Sequence, residues 1–240
     1  MLINMRNGLM AGGGLSARSY VQDGLVAMWD GIESQKGGTW QNLVKSSPVN
    51  HMSAPLSPGV LEVVDNGYKF TNANYVYGLT ATHRLANLSA MTIEVVTDGM
   101  SGSDSNAKSF GFNVSSNVYA RQYWRNNILL YNWTGYWSNV TSMAPATVKC
   151  FGAIWESNGT VSAMNNGSVI FTNNAGAVGN ISPSHSYEFY LMRYWAGSYT
   201  QYLTSGTVHA CRLYSRALTD AEIAANYAVD KARFNLPDAT

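Results

Sequence analysis

Between Gly24 and Ser215 the chain is divided into short runs of strand length, and most divisions fall at turn-forming residues. GLVAMWDGI, VLEVV, GYKFT, NYVYGL, MTIEVV, SFGFNV, VYARQYW, NILLYNW, VKCFGAIW, TVSAMNNG, SVIFT, YEFYLMRYW and TVHACRLYS are rich in β-branched and aromatic residues. Such residues suit a pleated, half-buried surface. Asn-Gly, Ser-Asn-Gly and Pro-Gly bound the runs, and there the backbone can reverse. Asn166-Gly167, between TVSAM and SVIFT, predicts a two-residue hairpin because both residues tolerate positive φ. About a dozen strands so closely spaced are what a two-sheet sandwich requires.

Composition supports this reading. Charged residues make up only 12% of the chain against 46% hydrophobic. The polarity comes from Asn, Ser, Thr and Gly, which favour turns. The net charge is +1 and Lys and Arg form no run. A protein that neutralises many phosphates needs clustered cations, so no nucleic-acid partner is expected. No stretch reaches the roughly 18 apolar residues of a membrane-spanning helix, so membrane insertion is not expected either. The opening MLINMRNGLMAGGGLSARSY lacks the continuous apolar core of a secretory signal. The expectation is a chain without a signal peptide.

Three segments follow. Residues 1–18 read as an N-terminal arm, apolar at Leu2, Ile3, Met5, Leu9 and Met10, then broken by Gly12-Gly13-Gly14. Residues 19–216 form the sandwich, and residues 217–240 a helix and tail. Thr219-Asp220-Ala221-Glu222 fits a capping box, in which Thr219 caps the helix and Glu222 reaches back. Ile223, Tyr227 and Phe234 follow at helical spacing. Their stripe is expected to pack on the sandwich or on a neighbouring chain, and the arm or this helix would carry a homo-oligomer contact. Cys150 and Cys211 each sit in an apolar strand-like run. They read as buried free thiols, with a bridge between neighbouring strands as the alternative.

RLYSRALTDAEIAANY from Arg212 resembles the last strand and closing corner of LamG-like, concanavalin A-like jelly rolls. AIWESNGTVSAMNNGSVI from Ala153 is similar to the paired strands of that family, which end in an Asn-Gly hairpin. GLVAMWDGI, then Trp40-Gln41-Asn42-Leu43 and Asn50-His51-Met52, resembles its opening, and FTNANYVYGL and MTIEVV match the next two strands in order. The resemblance covers residues 20–234. It implies an all-β, two-sheet antiparallel jelly-roll sandwich with one short C-terminal helix, a fold that many relatives use to hold sugars or protein partners. The arm with YVQDGLVAMWDGIES also resembles virion proteins of tailed phages and prophages of gut bacteria. That resemblance implies a tail or capsid protein, made in the host cytoplasm and carried on the particle beside other virion proteins.

Some jelly-roll relatives are glucanases, which place acids at i, i+2 and i+4 of one strand. Here Glu94 and Asp98 share a face, but Val96 occupies the middle position. Four strand residues span about 13 Å, beyond the roughly 5–9.5 Å of glycosidase carboxylate pairs. Asp220 and Glu222 belong to the helix cap. HExxH, CxxC and GxSxG are absent, and His51, His83, His185 and His209 are scattered. No enzyme is expected. Calcium sits at the rim of some relatives, but Asp98 and Asp104 flank a loop without a DxDxDG pattern, so neither metal nor cofactor is assigned.

Sugar binding uses aromatic faces for stacking and amides or Arg for hydroxyls. Residues 119–139 and 187–202 concentrate both kinds of group. Alternation sends half of the strand aromatics into the core, so loop positions are the better candidates. These are Arg125, Asn132, Trp133, Tyr136 and Trp137 in the first segment and Trp195, Tyr199 and Tyr202 in the second. Trp29, Trp40 and Trp155 read as core. The ligand expected is a polysaccharide or host-surface glycan. The same aromatics would equally cover a sheet edge or an oligomer interface, in which case the jelly roll would serve virion assembly alone.

Overall fold

The computed structural model describes residues 14–73, 79–83, 88–101, 108–114, 117–124, 128–131, 137–140, 149–174, 187–192 and 204–236. The strands are β1 (Leu25–Asp30), β2 (Gln35–Lys36), β3 (Thr39–Trp40), β4 (Met52–Ser53), β5 (Leu61–Val64), β6 (Gly67–Ala73), β7 (Leu79–His83), β8 (Met91–Ser101) and β9 (Lys108–Val114). They continue with β10 (Asn117–Trp124), β11 (Ile128–Tyr131), β12 (Trp137–Val140), β13 (Cys150–Trp155), β14 (Thr160–Asn165), β15 (Ser168–Asn174), β16 (Tyr187–Leu191) and β17 (Thr204–Tyr214). Helix α1 (Asp220–Phe234) closes the order.

Two antiparallel sheets result. One has the order β15-β14-β13-β8-β17-β6-β5, with β1 also paired to β17. The other has the order β12-β11-β10-β9-β16-β7-β4-β3-β2. The chain is thus an all-β jelly-roll sandwich with one C-terminal helix. The core lies between the sheets and holds Trp29, Trp40 and Trp155, each fully buried. Trp29 of β1 stacks on Phe189 of β16 with ring centroids 5.6 Å apart, and Trp40 of β3 meets Tyr68 of β6 at 5.1 Å. Each pair joins one sheet to the other.

The sequence-level hairpin is present. β14 and β15 turn through Asn166 at φ 47° and Gly167 at φ 80°. At Gly152 of β13 a Cβ would lie 2.1 Å from the Ile93 carbonyl oxygen, so the close approach of β8 requires glycine.

Alternation along β8, β13 and β17 makes two apolar faces. Ile93, Val95, Phe151, Ala153, Cys211 and Leu213 face the core. Val96, Cys150 and Ala210 pack with Tyr227, Phe234 and Leu236, and Ile154, Met164 and Tyr214 with Leu218 and Ile223. Helix α1 therefore spends its apolar stripe on the outer face of its own sheet, the first of the two expected placements. Cys150 and Cys211 fall on opposite faces of this sheet and are both free, which removes the bridge.

Two local readings change. WSNV, read as a loop because Ser-Asn favours turns, pairs with β11 as an edge strand that begins at Trp137. LTATH carries few large apolar residues, yet it forms β7 because β4 and β16 pair with it. Part of the segment read as an arm is packed: Ala17 is buried in a cluster with Tyr20 and Met28 of the sandwich segment. Residues 1–13 lie outside the described residues.

Candidate functional site

The outer face of the eight-stranded sheet is closed by charge as well as by apolar contact. Arg212 of β17 is fully buried. Its Nε donates to Glu94 Oε2 at 2.8 Å, and its Nη1 and Nη2 donate to the two Asp230 oxygens at 2.7 Å each. Asn226 Nδ2 donates to the same Glu94 oxygen at 2.8 Å, and Asn226 Oδ1 accepts from the Val21 backbone. The Tyr20 ring lies 4.2 Å from the Arg212 guanidinium carbon and 5.4 Å from that of Arg233. Arg233 in turn donates to both oxygens of Asp30 and to Glu33. Burial pushes the Glu94 carboxyl upward, against the opposing pull of Arg212. This cluster fastens helix, sheet and N-terminal segment together, and its carboxylates are engaged by Arg212, Asn226 and Arg233.

The acids weighed for catalysis are engaged elsewhere. Glu94 lies under α1 in the cluster just described. Asp98 pairs with Lys149; burial acts to raise its pKa, but the Lys149 and Gly99 hydrogen bonds bring it below the ordinary value. Glu222 accepts from Arg216 and from the Thr219 backbone, and these bonds lower its pKa to about 2. Among the described residues no cluster of His, Cys, Asp or Glu could hold a metal ion. Burial raises both thiols, which leaves them as unreactive core groups.

The other sheet carries a different pattern. Directly opposed residues of neighbouring strands lie on one face. Phe189 and Leu191 of β16 belong to the core; Tyr190 alternates with them and is itself fully buried, so this position is closed to solvent. Strand register pairs Ser53, Thr80, Tyr190, Gly111, Arg121, Tyr131 and Trp137 in order across seven strands. A second line of register partners runs Thr82, Glu188, Asn113, Val118. The first row thus aligns two tyrosine positions, a tryptophan and an arginine from four separate strands, with glycine at the strand between Tyr190 and Arg121. The five strands from β16 to β12 extend about 19 Å at about 4.8 Å per step.

Beside β7 lies a groove. Asn50 Nδ2 donates to Thr82 Oγ1 at 2.6 Å. Asn50 also lines a groove of about 630 Å³ with Gln41, Lys45, Ser47 and His51. The Asn42 backbone donates to His51 Nδ1 at 3.0 Å, so in the neutral ring Nε2 carries the proton.

Of the expected ligand residues, Trp137 falls on the aromatic row as the first residue of β12. Arg125, Asn132, Trp133, Tyr136, Trp195, Tyr199 and Tyr202 lie outside the described residues. Tyr190, Arg121 and Tyr131 stand in the two aromatic-rich segments but are brought into line only by strand register. The groove residues Gln41, Asn50 and His51 were visible only as parts of the Trp40–Leu43 and Asn50–Met52 segments.

The fold and this face define a two-sheet jelly-roll sandwich whose helix covers one sheet only. No protein-family model matches the chain, and no curated protein matches it by sequence. Solved structures share the fold. The binding domain of botulinum neurotoxin serotype D/C superimposes with a TM-score of 0.60 at 11% identity, over 88% of this chain and 53% of that one. Botulinum neurotoxin type C, in a structure whose subject is cell entry through two ganglioside molecules, gives 0.55 at 10% identity over 88% and 51%. Trypanosoma rangeli sialidase in complex with 2,3-difluorosialic acid gives 0.55 at 18% identity over 85% and 33%. This chain spans about half the length of the neurotoxin chains and a third of the sialidase.

Proposed function

We propose that this chain is a noncatalytic glycan- or surface-binding module that uses the outer face of its nine-stranded sheet, and that it is carried on a phage particle as a tail or capsid appendage. The observation that supports it best is the line of Arg121, Tyr131 and Trp137 positions in register across adjacent strands. Aromatic positions on adjacent strands can stack on successive faces of a saccharide, while Arg reads its hydroxyls. The gangliosides named for the neurotoxin carry sugars and the sialic-acid analogue named for the sialidase is one, and both proteins include this fold, which agrees with the reading. The particle context rests on the phage-like opening sequence, and tail or capsid genes beside this one would bear it out.

A noncatalytic role agrees with the engagement of Glu94, Asp98 and Glu222 in ion pairs. Binding is tested by an array of host-surface polysaccharides followed by calorimetry on any that score. A ligand whose affinity falls in Arg121→Ala and in Trp137→Ala supports the reading. No binding across the array contradicts it.

A further inference from the structure

We infer that the groove formed by residues 41–51 is by itself a site for an acidic sugar unit, one whose ring carries a carboxylate. The inference adds a second place of sugar contact to the glycan-binding reading, and it requires no contact between the groove and the aromatic positions of the nine-stranded sheet.

The groove wall is the segment between β3 and β4, and internal hydrogen bonds hold it in one shape. Asn42 is buried. Its Oδ1 accepts from the Met28 and Val44 backbones at 3.0 Å each, and its Nδ2 donates to the Val49 carbonyl at 2.9 Å. The Ser47 hydroxyl donates to the Val26 carbonyl and accepts from the Val49 backbone at 2.9 Å. Asn50 is tied to β7 twice, from its backbone to the Thr82 carbonyl at 2.9 Å and from Nδ2 to Thr82 Oγ1 at 2.6 Å. A segment braced in this way meets a ligand at little ordering cost.

The groups left over by this bracing set the ligand's chemistry. They are the Gln41 amide, the Lys45 ammonium, Asn50 Oδ1 and the His51 ring. His51 is exposed, and the Asn42 backbone bond to Nδ1 leaves Nε2 of the neutral ring as a donor. Among the described residues no carboxylate lines the groove. The nearest acid by arrangement is Glu33, in an adjoining groove that shares Lys45. That carboxylate already accepts from the Ala17 backbone at 2.6 Å and from Arg233 at 2.8 Å. Lys45 therefore stands as a cation in need of an anion, beside amides that suit hydroxyls. Leu43 and Val44 add half-buried apolar surface for the C–H groups of a ring. The volume of about 630 Å³ lies within the range of small-ligand clefts.

The test is calorimetry with sugars paired so that the acid is the main difference: β-1,4-linked glucuronic acid trisaccharide beside cellotriose, trigalacturonate beside galactotriose, and 3′-sialyllactose beside lactose. At least one acidic member is expected to bind about tenfold or more tightly than its neutral partner, and to weaken as salt is raised. Lys45→Gln is expected to lower that affinity about tenfold, the loss of one charge-assisted hydrogen bond, at an unchanged melting temperature. Gln41→Ala is expected to weaken the acidic and the neutral member alike. Equal affinity within every pair, parent-like affinity in Lys45→Gln, or no binding by any acidic sugar overturns the site. Citrate binding as tightly as the best sugar overturns the sugar assignment. Each of these results leaves the sheet-face reading to its own test, since Trp137→Ala is expected to leave the groove's affinity unchanged.

Discussion

The guanidinium of Arg212 donates two parallel hydrogen bonds, 2.7 Å each, to the carboxylate of Asp230, and both side chains are fully buried between β17 and α1. A bidentate pair of this kind fixes orientation as well as distance. It sets how the helix lies on the sheet, and the sheet face under the helix is thereby closed to ligands.

Removing the cation leaves Glu94 and Asp230 buried with their counter-charge gone. Arg212→Met is expected to cost about 3–5 kcal/mol. Glu94→Gln keeps its place between Arg212 and Asn226 and is expected to cost clearly less, because burial already disfavours the Glu94 charge. Urea unfolding of the two variants checks the order.

His209 responds to pH. Its ring stacks on Phe234 at 5.1 Å, Nδ1 is 3.0 Å from the Asn66 carbonyl oxygen, and Nε2 finds no hydrogen-bond partner among the described residues. Burial lowers its pKa, although Asp98 and Asp230 act to raise it and Lys149 acts with the burial. The unfolded chain therefore binds the proton more readily. Stability from this group is present above the unfolded value of about 6.5 and is lost as pH falls below it. Melting curves should shift downward between about pH 7 and pH 5, and His209→Gln should flatten that shift.

The helix cap responds in a lower window. Glu222 has its pKa lowered to about 2 by the Arg216 hydrogen bonds and by the Thr219 backbone. Its contribution is present above the unfolded value of about 4.3 and is lost as pH falls from there toward 2. Glu222→Gln should reduce the acid sensitivity of helical circular dichroism in that window. Thr219→Ala should cost about 1 kcal/mol at neutral pH.

Cys150 and Cys211, buried on opposite faces of one sheet, should be silent toward an aromatic disulfide reagent until the chain unfolds. Equal melting temperatures with and without reductant would agree, whereas a reductant-sensitive transition would contradict the placement.

Much of the fold was legible because it is written in local chemistry. The Asn166-Gly167 turn, the Thr219–Glu222 cap and the apolar runs of β8, β13 and β17 each follow from residue type alone. What was not legible depends on partners distant in the chain. WSNV becomes a strand only because ILLY lies beside it. The pairing of β17 with β8 slips between Val208 and Ala210. This slip puts Val208 in the main core and Ala210 under the helix, which simple alternation would not allow. Arg212 carries a lasting charge in a strand that otherwise reads as core, and its partners stand 118 and 18 residues away. The aromatic row is of the same kind. Arg121, Tyr131 and Trp137 are separated along the chain and come into line only through register.

The central claim is that this row binds a saccharide, and calorimetry of the parent chain beside Tyr131→Ala and Trp137→Ala tests it most directly, using a polysaccharide that scores on the array. Stacking is worth about 0.5–1.5 kcal/mol per aromatic beyond buried area. Each variant should therefore bind about tenfold more weakly with an unchanged melting temperature. Parent-like affinity in both variants would contradict the account.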